Sequence, residues 1–320
     1  MPIPPELIRH PHGITTVDAM YVRPGFAAVH IIERQGRAAI VDTGTNASVP
    51  LVLGALGQLG ITRESVQSIL LTHVHLDHAG GAGLLLQALP QARVVVHPRG
   101  VAHLVDPSRL ANATRAVYGP ERFEQLYGTL VPIAAERIVA THDLDRWVLG
   151  DSELTILHTP GHALHHQAFF DPRASAVFTG DTFGLSYRAL DSEQGAFIVP
   201  TTTPTQFDPE QLVASIERLA SLGAEAAYLT HFGRVTNLAP LARALREQIE
   251  AFVAIALARR GSSERLALIA SDLRVLWIER LARHQPGAGA APVDALLSDD
   301  LELNAQGLVA WLERDERKST

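Results

Sequence analysis

The sequence predicts an α/β protein with a helical C-terminal part, and three observations carry that reading. Between Gly13 and Asp42 three apolar or alternating runs follow one another through short turns. From Ala47 to His97 runs of strand character alternate with runs at helical spacing. Beyond Asn237 the pattern is helical to the end of the chain. Period-2 and period-3.6 patterns of this kind place strands and amphipathic helices respectively.

The elements follow in order. Gly13 to Tyr21, Phe26 to Glu33 and Arg37 to Asp42 read as strands, parted by the turn signals Arg23-Pro24-Gly25 and Gln35-Gly36. Ala47 to Leu59 is a helix closed by Gly60, and Val66 to Leu71 has the length and composition of a buried strand. Gly81 to Leu89 is the next helix, and Arg93 to His97 the next strand. Residues 98–145 read as an inserted helical segment. Strands resume at Arg146 to Leu149, Glu153 to Thr159, Gln167 to Phe170 and Ala174 to Phe178. Residues 182–206 form one long irregular stretch, a length that usually marks a functional or disordered loop. Asp208-Pro209-Glu210-Gln211 is a helix start, with Asp as cap, Pro at the first position and Gln at the third. A strand at Ala226 to Leu229 follows. The helices 238–260, 263–283 and 304–317 complete the chain, with a linker at 285–292. Domain boundaries are therefore expected at 1–237 for the main domain, with its insertion near 98–145, and at 238–320 for the helical extension. On the second of those helices Leu266, Ile269, Leu273 and Leu276, with Trp277 beside them, trace an apolar stripe. Packing onto the main domain is the favoured reading, and a homodimer surface is the alternative.

Composition excludes several function classes. The formal net charge is −7, so a nucleic-acid backbone is not an expected partner. No cysteine is present, hence no disulfide, thiolate ligand or cysteine nucleophile. The only lysine is Lys318. No signal-peptide pattern and no membrane-length apolar run are seen, so a cytoplasmic protein that does not engage membranes is expected.

The chemistry concentrates in Leu71-Thr72-His73-Val74-His75-Leu76-Asp77-His78-Ala79-Gly80-Gly81. Three histidines and one aspartate occupy six positions of a loop that follows a strand. Imidazole and carboxylate suit zinc, iron or manganese, and four such groups this close call for a cation. Three further loops carry His162 (Thr159-Pro160-Gly161-His162), Asp181 (Thr179-Gly180-Asp181-Thr182) and His231 (Leu229-Thr230-His231-Phe232).

This succession of motifs, spanning residues 13–235, resembles the metallo-β-lactamase-fold superfamily, in particular its dinuclear, glyoxalase-II-like metallohydrolase branch. The resemblance implies a four-layer αββα sandwich carrying a C-terminal helical extension, with metals at one edge between the sheets. It assigns His73, His75 and His162 to a first metal, Asp77, His78 and His231 to a second, and Asp181 to both, with Asp77 and Asp181 as the catalytic carboxylates. Two divalent ions are implied, zinc foremost, with iron or manganese as alternatives. Asp42 corresponds to the aspartate that supports the opening motif from behind, and it is equally a strand-end turn former. His166, with His165 beside it, is expected to support the His162 loop rather than to ligate.

The implied reaction is hydrolysis of an ester, thioester, lactone or similar acyl bond of a small molecule, through attack by a hydroxide held between the metals. A glutathione thioester is not supported, because the lysine and arginine set for it is missing. The alternatives within the fold are a single-iron persulfide dioxygenase and a metal-binding regulatory protein with little turnover. An amidohydrolase barrel, which also opens with His-x-His, is set aside for want of a lysine before 318. Substrate contacts are expected from Phe183, Tyr187, Arg188, Phe197 and Arg234, by their place after Asp181 and His231, with exposed loop residues as the opposing reading.

Overall fold

In the computed structural model, which describes residues 5–202 and 204–318, the chain forms two compact units that alternate along the sequence. The first takes in the chain up to His158, then His165–Gly180 and Ala224–Arg234. The second takes in Thr159–Leu164, Asp181–Gly223 and the chain from Val235 onward.

Two sheets make the first unit. One has seven strands in chain order: β1 (Leu7–His10), β2 (Ile14–Asp18), β3 (Ala28–Arg34), β4 (Arg37–Val41), β5 (Val66–Leu70), β6 (Arg93–Val96) and β7 (Ile138–Ala140). Strands β1 to β4 form an antiparallel meander, and β4 to β7 are parallel. The parallel strands need crossovers, which α1 (Val49–Leu59), α2 (Leu76–Ala79) and α3 (Ala82–Ala88) provide. Strands buried on both faces read as continuous apolar runs, as Arg93-Val94-Val95-Val96 does. Three helices, α4 (Val101–Val105), α5 (Ser108–Tyr118) and α6 (Pro120–Leu126), occupy the segment between β6 and β7.

The other sheet joins β8 (Arg146–Leu149), β9 (Ser152–His158), β10 (Gln167–Asp171), β11 (Ala176–Gly180), β12 (Ala226–Leu229) and β13 (Gly233–Thr236) in spatial order 13-12-11-10-9-8. Inward side chains of the two sheets share one core. Ile14, Ile32, Val41, Leu70 and Val95 come from the first sheet, and Leu154, Ile156, Phe169 and Phe178 from the second. This is the sandwich that the sequence predicts. Strands β1, β7 and β13 are additions to the sequence reading. Each is only three or four residues long, too short for periodicity to register.

Two polar features cross this core. The Arg34 guanidinium on β3 meets the Asp171 carboxylate at the end of β10 at 2.5 Å, with both side chains almost fully buried. Asp171 also accepts from Ser152 Oγ at 2.9 Å and from the Arg173 backbone N–H at 3.0 Å. His30 is the second. Its Nε2 donates to the Leu229 carbonyl at 3.1 Å, and its Nδ1 lies 3.0 Å from Thr16 Oγ1. Burial pushes the His30 imidazole down to about 4. The unfolded chain therefore takes up a proton near pH 6.5 that the folded chain refuses, and stability falls as pH drops from about 6.5 towards 4. Urea unfolding should show His30 costing about 2 kcal/mol between pH 7 and pH 5. The variant His30→Gln should lose that much less than wild type over the same interval. Equal losses in the two proteins would show that His30 is not the group responsible.

Helices dominate the second unit. Asp208 caps α7 (Pro209–Ala220) by accepting from the Gln211 N–H at 3.0 Å, and Gln211 Nε2 returns a bond at 2.8 Å, as the sequence reading expects. Then come α8 (Leu238–Arg259), α9 (Arg265–His284), α10 (Ala291–Leu296) and α11 (Ser298–Lys318). The short α10 rises out of the expected linker with Pro292 in its first turn. On α9 Ile269, Leu273 and Trp277 are buried, whereas Leu266 at the stripe's start is 44% exposed. The division between units does not fall at residue 237, because α11 shares its unit with residues 181–223. Asn304 holds Thr202 through the backbone N–H at 2.7 Å and the hydroxyl at 2.9 Å. Gly307 permits that approach, since a Cβ there would lie 2.0 Å from the Thr202 carbonyl oxygen. Among the described residues no helix is long and apolar enough to cross a membrane.

Candidate metal centre

The site grows from the end of β5. After Leu70 the chain runs through Leu71–His75 and turns into α2, a single turn that carries Asp77 and His78. His73 and His78 are fully buried, and the Asp77 side chain keeps 21% of its surface. His231 arrives from the end of β12. Its Nε2 stands 3.2 Å from Asp77 Oδ2, and His78 Nε2 stands 3.6 Å from the same oxygen. Two ligands about 2.1 Å from one tetrahedral ion lie roughly 3.4 Å apart. Asp77, His78 and His231 are thus spaced as ligands of one cation, and all three donor atoms fall within 4.8 Å of one another. His73 Nε2 faces His75 Nδ1 at 2.8 Å.

What lies behind the ligands decides which nitrogen each presents. Asp42 is completely buried at the end of β4. Its carboxylate accepts from the Thr72 N–H at 2.8 Å, the Thr72 hydroxyl at 2.9 Å and the Thr230 hydroxyl at 2.8 Å. His78 Nδ1 lies 2.8 Å from the same carboxylate, so that nitrogen carries the proton and Nε2 offers its lone pair. His231 is set the same way, with Nδ1 donating to the Phe26 carbonyl at 2.9 Å. A carboxylate or carbonyl behind an imidazole fixes its tautomer and raises its basicity. The Asp42 φ of 56° bends the strand end so that the carboxylate turns back under the loop.

Within the second unit, His162 and Asp181 form a matching pair. His162 Nδ1 lies 3.3 Å from the Thr201 carbonyl, and its Nε2 lies 3.3 Å from Asp181 Oδ2. Gly161 sets the preceding turn with φ of 126°, where a Cβ would lie 2.2 Å from the Leu212 nitrogen. Thr182 Oγ1 ties the Asp181 loop to the Thr159 carbonyl at 3.0 Å. Both loops are thereby held rigid, which a ligand pair requires.

His166 packs beside His73, the rings stacked at 4.9 Å, and His165 lies 6.1 Å from His73 and 5.5 Å from His75. The expected substrate contacts fare differently. Phe183 and Tyr187 are core residues with at most 1% of their surface open, and Tyr187 donates to Asp300 Oδ2 at 3.0 Å. They have no surface to give a substrate, which corrects the sequence expectation. Arg188 donates to the Ser186 carbonyl and is 3.3 Å from Asp191. Phe197 packs 5.4 Å from the ring of His284, and the charge of Arg234 acts on Tyr228 and His10.

Sequence reasoning passes over Thr72, Thr230, Phe26, Tyr21 and Tyr127. The first two had a signal. Leu71-Thr72-His73 and Leu229-Thr230-His231 repeat one tripeptide at the ends of two strands, and both threonines converge on Asp42. Tyr21 and Tyr127 join hydroxyl to hydroxyl at 2.5 Å. Burial, and after it the Asp77 charge among others, holds both phenols well above their usual range, so they stay protonated as donors.

The model of the metallo-beta-lactamase superfamily matches residues 22–231, well over half of the chain. The chain belongs to that superfamily. Metallo-beta-lactamase fold-containing protein ST1585 of Sulfurisphaera tokodaii is 25% identical over 217 residues, 67% of this chain and 75% of that protein. Its crystal structure, that of an archaeal superfamily protein, superimposes with a TM-score of 0.64 at 22% identity, covering 93% of this chain and 98% of that one. A metallo-beta-lactamase family protein from Thermus thermophilus, TTHA1429, gives 0.63 at 22% identity, covering 98% and 92%. Hydroxyacylglutathione hydrolase of Yersinia pestis is 29% identical over 192 residues, 60% of this chain and 55% of that enzyme. The match therefore spans about half the length of that hydrolase. Within the superfamily, the strand-end position of the His73–His78 motif and its partner His231 is what the fold supplies, and the buried Asp42 is what orients them.

Proposed function

We propose that the protein is a dinuclear metallohydrolase acting on an ester, thioester or lactone bond of a small molecule. The observation that carries this reading is the convergence of Asp77, His78 and His231, two of them with a proton fixed on the far nitrogen. The superfamily pattern adds His73, His75 and His162 as the other ligand group and Asp181 as the shared one. Nitrogen and carboxylate donors of this kind fit zinc foremost, and iron or manganese as well. When bound, the metals would lower the pKa of a water and stabilise charge on the acyl oxygen. The chain's own residues do the rest. Asp42 and the Phe26 carbonyl hold protons on the far side of His78 and His231, keeping both imidazoles neutral towards the ligand side. Asp77, part exposed, is the carboxylate in this group that an incoming substrate and water can reach. The superfamily membership and the hydroxyacylglutathione hydrolase match support acyl-bond hydrolysis as the reaction class. A glutathione-linked substrate is not favoured, since the one lysine is Lys318.

Purified protein should take up close to two transition-metal ions per chain, and it should turn over members of a thioester and lactone panel. Chelation should abolish that turnover. A protein that holds one ion and refuses a second under excess metal would reject the dinuclear reading. Full metal loading without turnover on any panel member would leave a metal-binding protein and reject the hydrolase.

A further inference from the structure

A second candidate site lies wholly within the second unit, where the segment Gln194–Ile198 runs against α8 and α9. A cavity of about 230 Å³ opens there, and no residue of the metal-ligand set lines it. Its apolar side is Phe197, Ile198 and Leu241, and its polar side is Gln248 and Arg280, with Arg283 and His284 at the same wall. The volume falls just under the roughly 300 Å³ at which drug-sized ligand sites begin, which suits a molecule of a dozen heavy atoms or fewer.

The polar pair is complementary to something the chain does not supply. Gln248 is 1% exposed, and its Nε2 donates to two carbonyl oxygens, Ile198 at 2.9 Å and Ala244 at 3.1 Å. Two acceptors on that side fix the orientation of the amide, so Oε1 is the atom left over, and it is buried with no hydrogen-bond partner. The Nε–H of Arg280 is likewise buried without an acceptor. At the other end its guanidinium reaches Glu247 at only 3.5 Å, and Glu247 is 56% exposed, so that ion pair holds the arginine weakly. One buried acceptor lacks a donor, and one buried cationic donor lacks an anion. Groups left in this state are costly, and a ligand that meets both gains accordingly.

We propose that this cavity binds a small carboxylate that carries a neighbouring hydroxyl and an apolar group. The carboxylate pairs with Arg280, the hydroxyl donates to Gln248 Oε1, and the apolar group lies on Phe197 and Leu241. Arg280 with Arg283 makes the wall cationic, whereas the apolar lining disfavours a multiply charged ligand.

Calorimetric titration of the metal-loaded, full-length protein with mandelate, phenylacetate and mandelamide tests the assignment. These probes have the carboxylate and hydroxyl, the carboxylate alone, and the hydroxyl with a neutral amide. Mandelate should saturate the protein and bind about fivefold or more tightly than phenylacetate, and about tenfold or more tightly than mandelamide. Arg280→Met, which keeps the aliphatic stem, should weaken mandelate about tenfold or more. Gln248→Leu should erase the preference for the hydroxyl. If that buried substitution prevents folding, the mandelate-to-phenylacetate ratio on wild type decides the acceptor role alone. Because mandelate is also able to ligate a metal, retention of full affinity in Arg280→Met places the binding elsewhere and overturns the proposal. So does an absence of saturation at the solubility limit, or mandelamide binding as tightly as mandelate.

Discussion

Asp77→Ala is expected to lose the metal ion held with His78 and His231, and with it on the order of 10³-fold or more of any hydrolysis. The oxygen of Asp77 stands 3.2 Å from one imidazole nitrogen and 3.6 Å from the other, so no neighbouring group replaces it. Asp42→Asn is the informative companion. It keeps the volume at a fully buried position but gives one side of the amide a donor. That donor faces the Thr72 hydroxyl, the Thr230 hydroxyl or His78 Nδ1, each of which now gives or orients a proton towards Asp42. The expected loss is 10–100-fold in metal affinity, the scale for a group that touches a ligand rather than the metal. Metal content and turnover measured together on both variants separate the roles. Asp42→Asn as empty of metal as Asp77→Ala would make Asp42 indispensable to ligation itself; Asp77→Ala with full metal content would remove Asp77 from the ligand set.

The largest effect on stability is expected at Asp171. Replacing it with Ala leaves Arg34 with its charge buried between the sheets and strips the Ser152 hydroxyl and the Arg173 N–H of their acceptor. Breaking one side of a buried pair costs about 3–5 kcal/mol. The double variant Arg34→Met with Asp171→Leu removes both charges and should recover much of that loss, since desolvating the pair was itself expensive. Chemical denaturation of the three proteins checks the order. A double variant less stable than Asp171→Ala alone would mean that the pair is worth more than its desolvation.

The parts of the fold readable in the sequence are those whose signal is local. The α7 cap needs only Asp208, Pro209 and Gln211 in a row, and the motif at 73–78 needs only its own spacing. The stretch 182–206 reads as a loop because its partners lie a hundred residues further on: Thr202 answers to Asn304, and Tyr187 to Asp300. Nothing near residue 190 announces that pairing, so Phe183 and Tyr187 look like pocket walls when they are core. Helix α11 begins at Ser298, six residues ahead of the expected 304, because Asp299 and Asp300 sit in its first turn, where acidic groups favour the helix dipole. The ligands were identifiable by type, whereas the groups that orient them were not. A threonine or a main-chain carbonyl gives no sign in sequence of which histidine it serves, apart from the repeated Leu-Thr-His.

The bond from Thr230 to Asp42 joins residues 188 apart in the chain. A ribosome making this protein releases Asp42, His73 and His78 long before it reaches Thr230 and His231. Until then the early histidines lack the fourth donor to their shared carboxylate, and Asp77 lacks its His231 neighbour. Metal capture in its final form is thus one of the last events of biogenesis, set by closure of the second sheet on the first rather than by the early cluster of histidines. A growing chain cut short before residue 231 would display three histidines and an aspartate with nothing to arrange them, and would be judged incomplete by its failure to keep an ion.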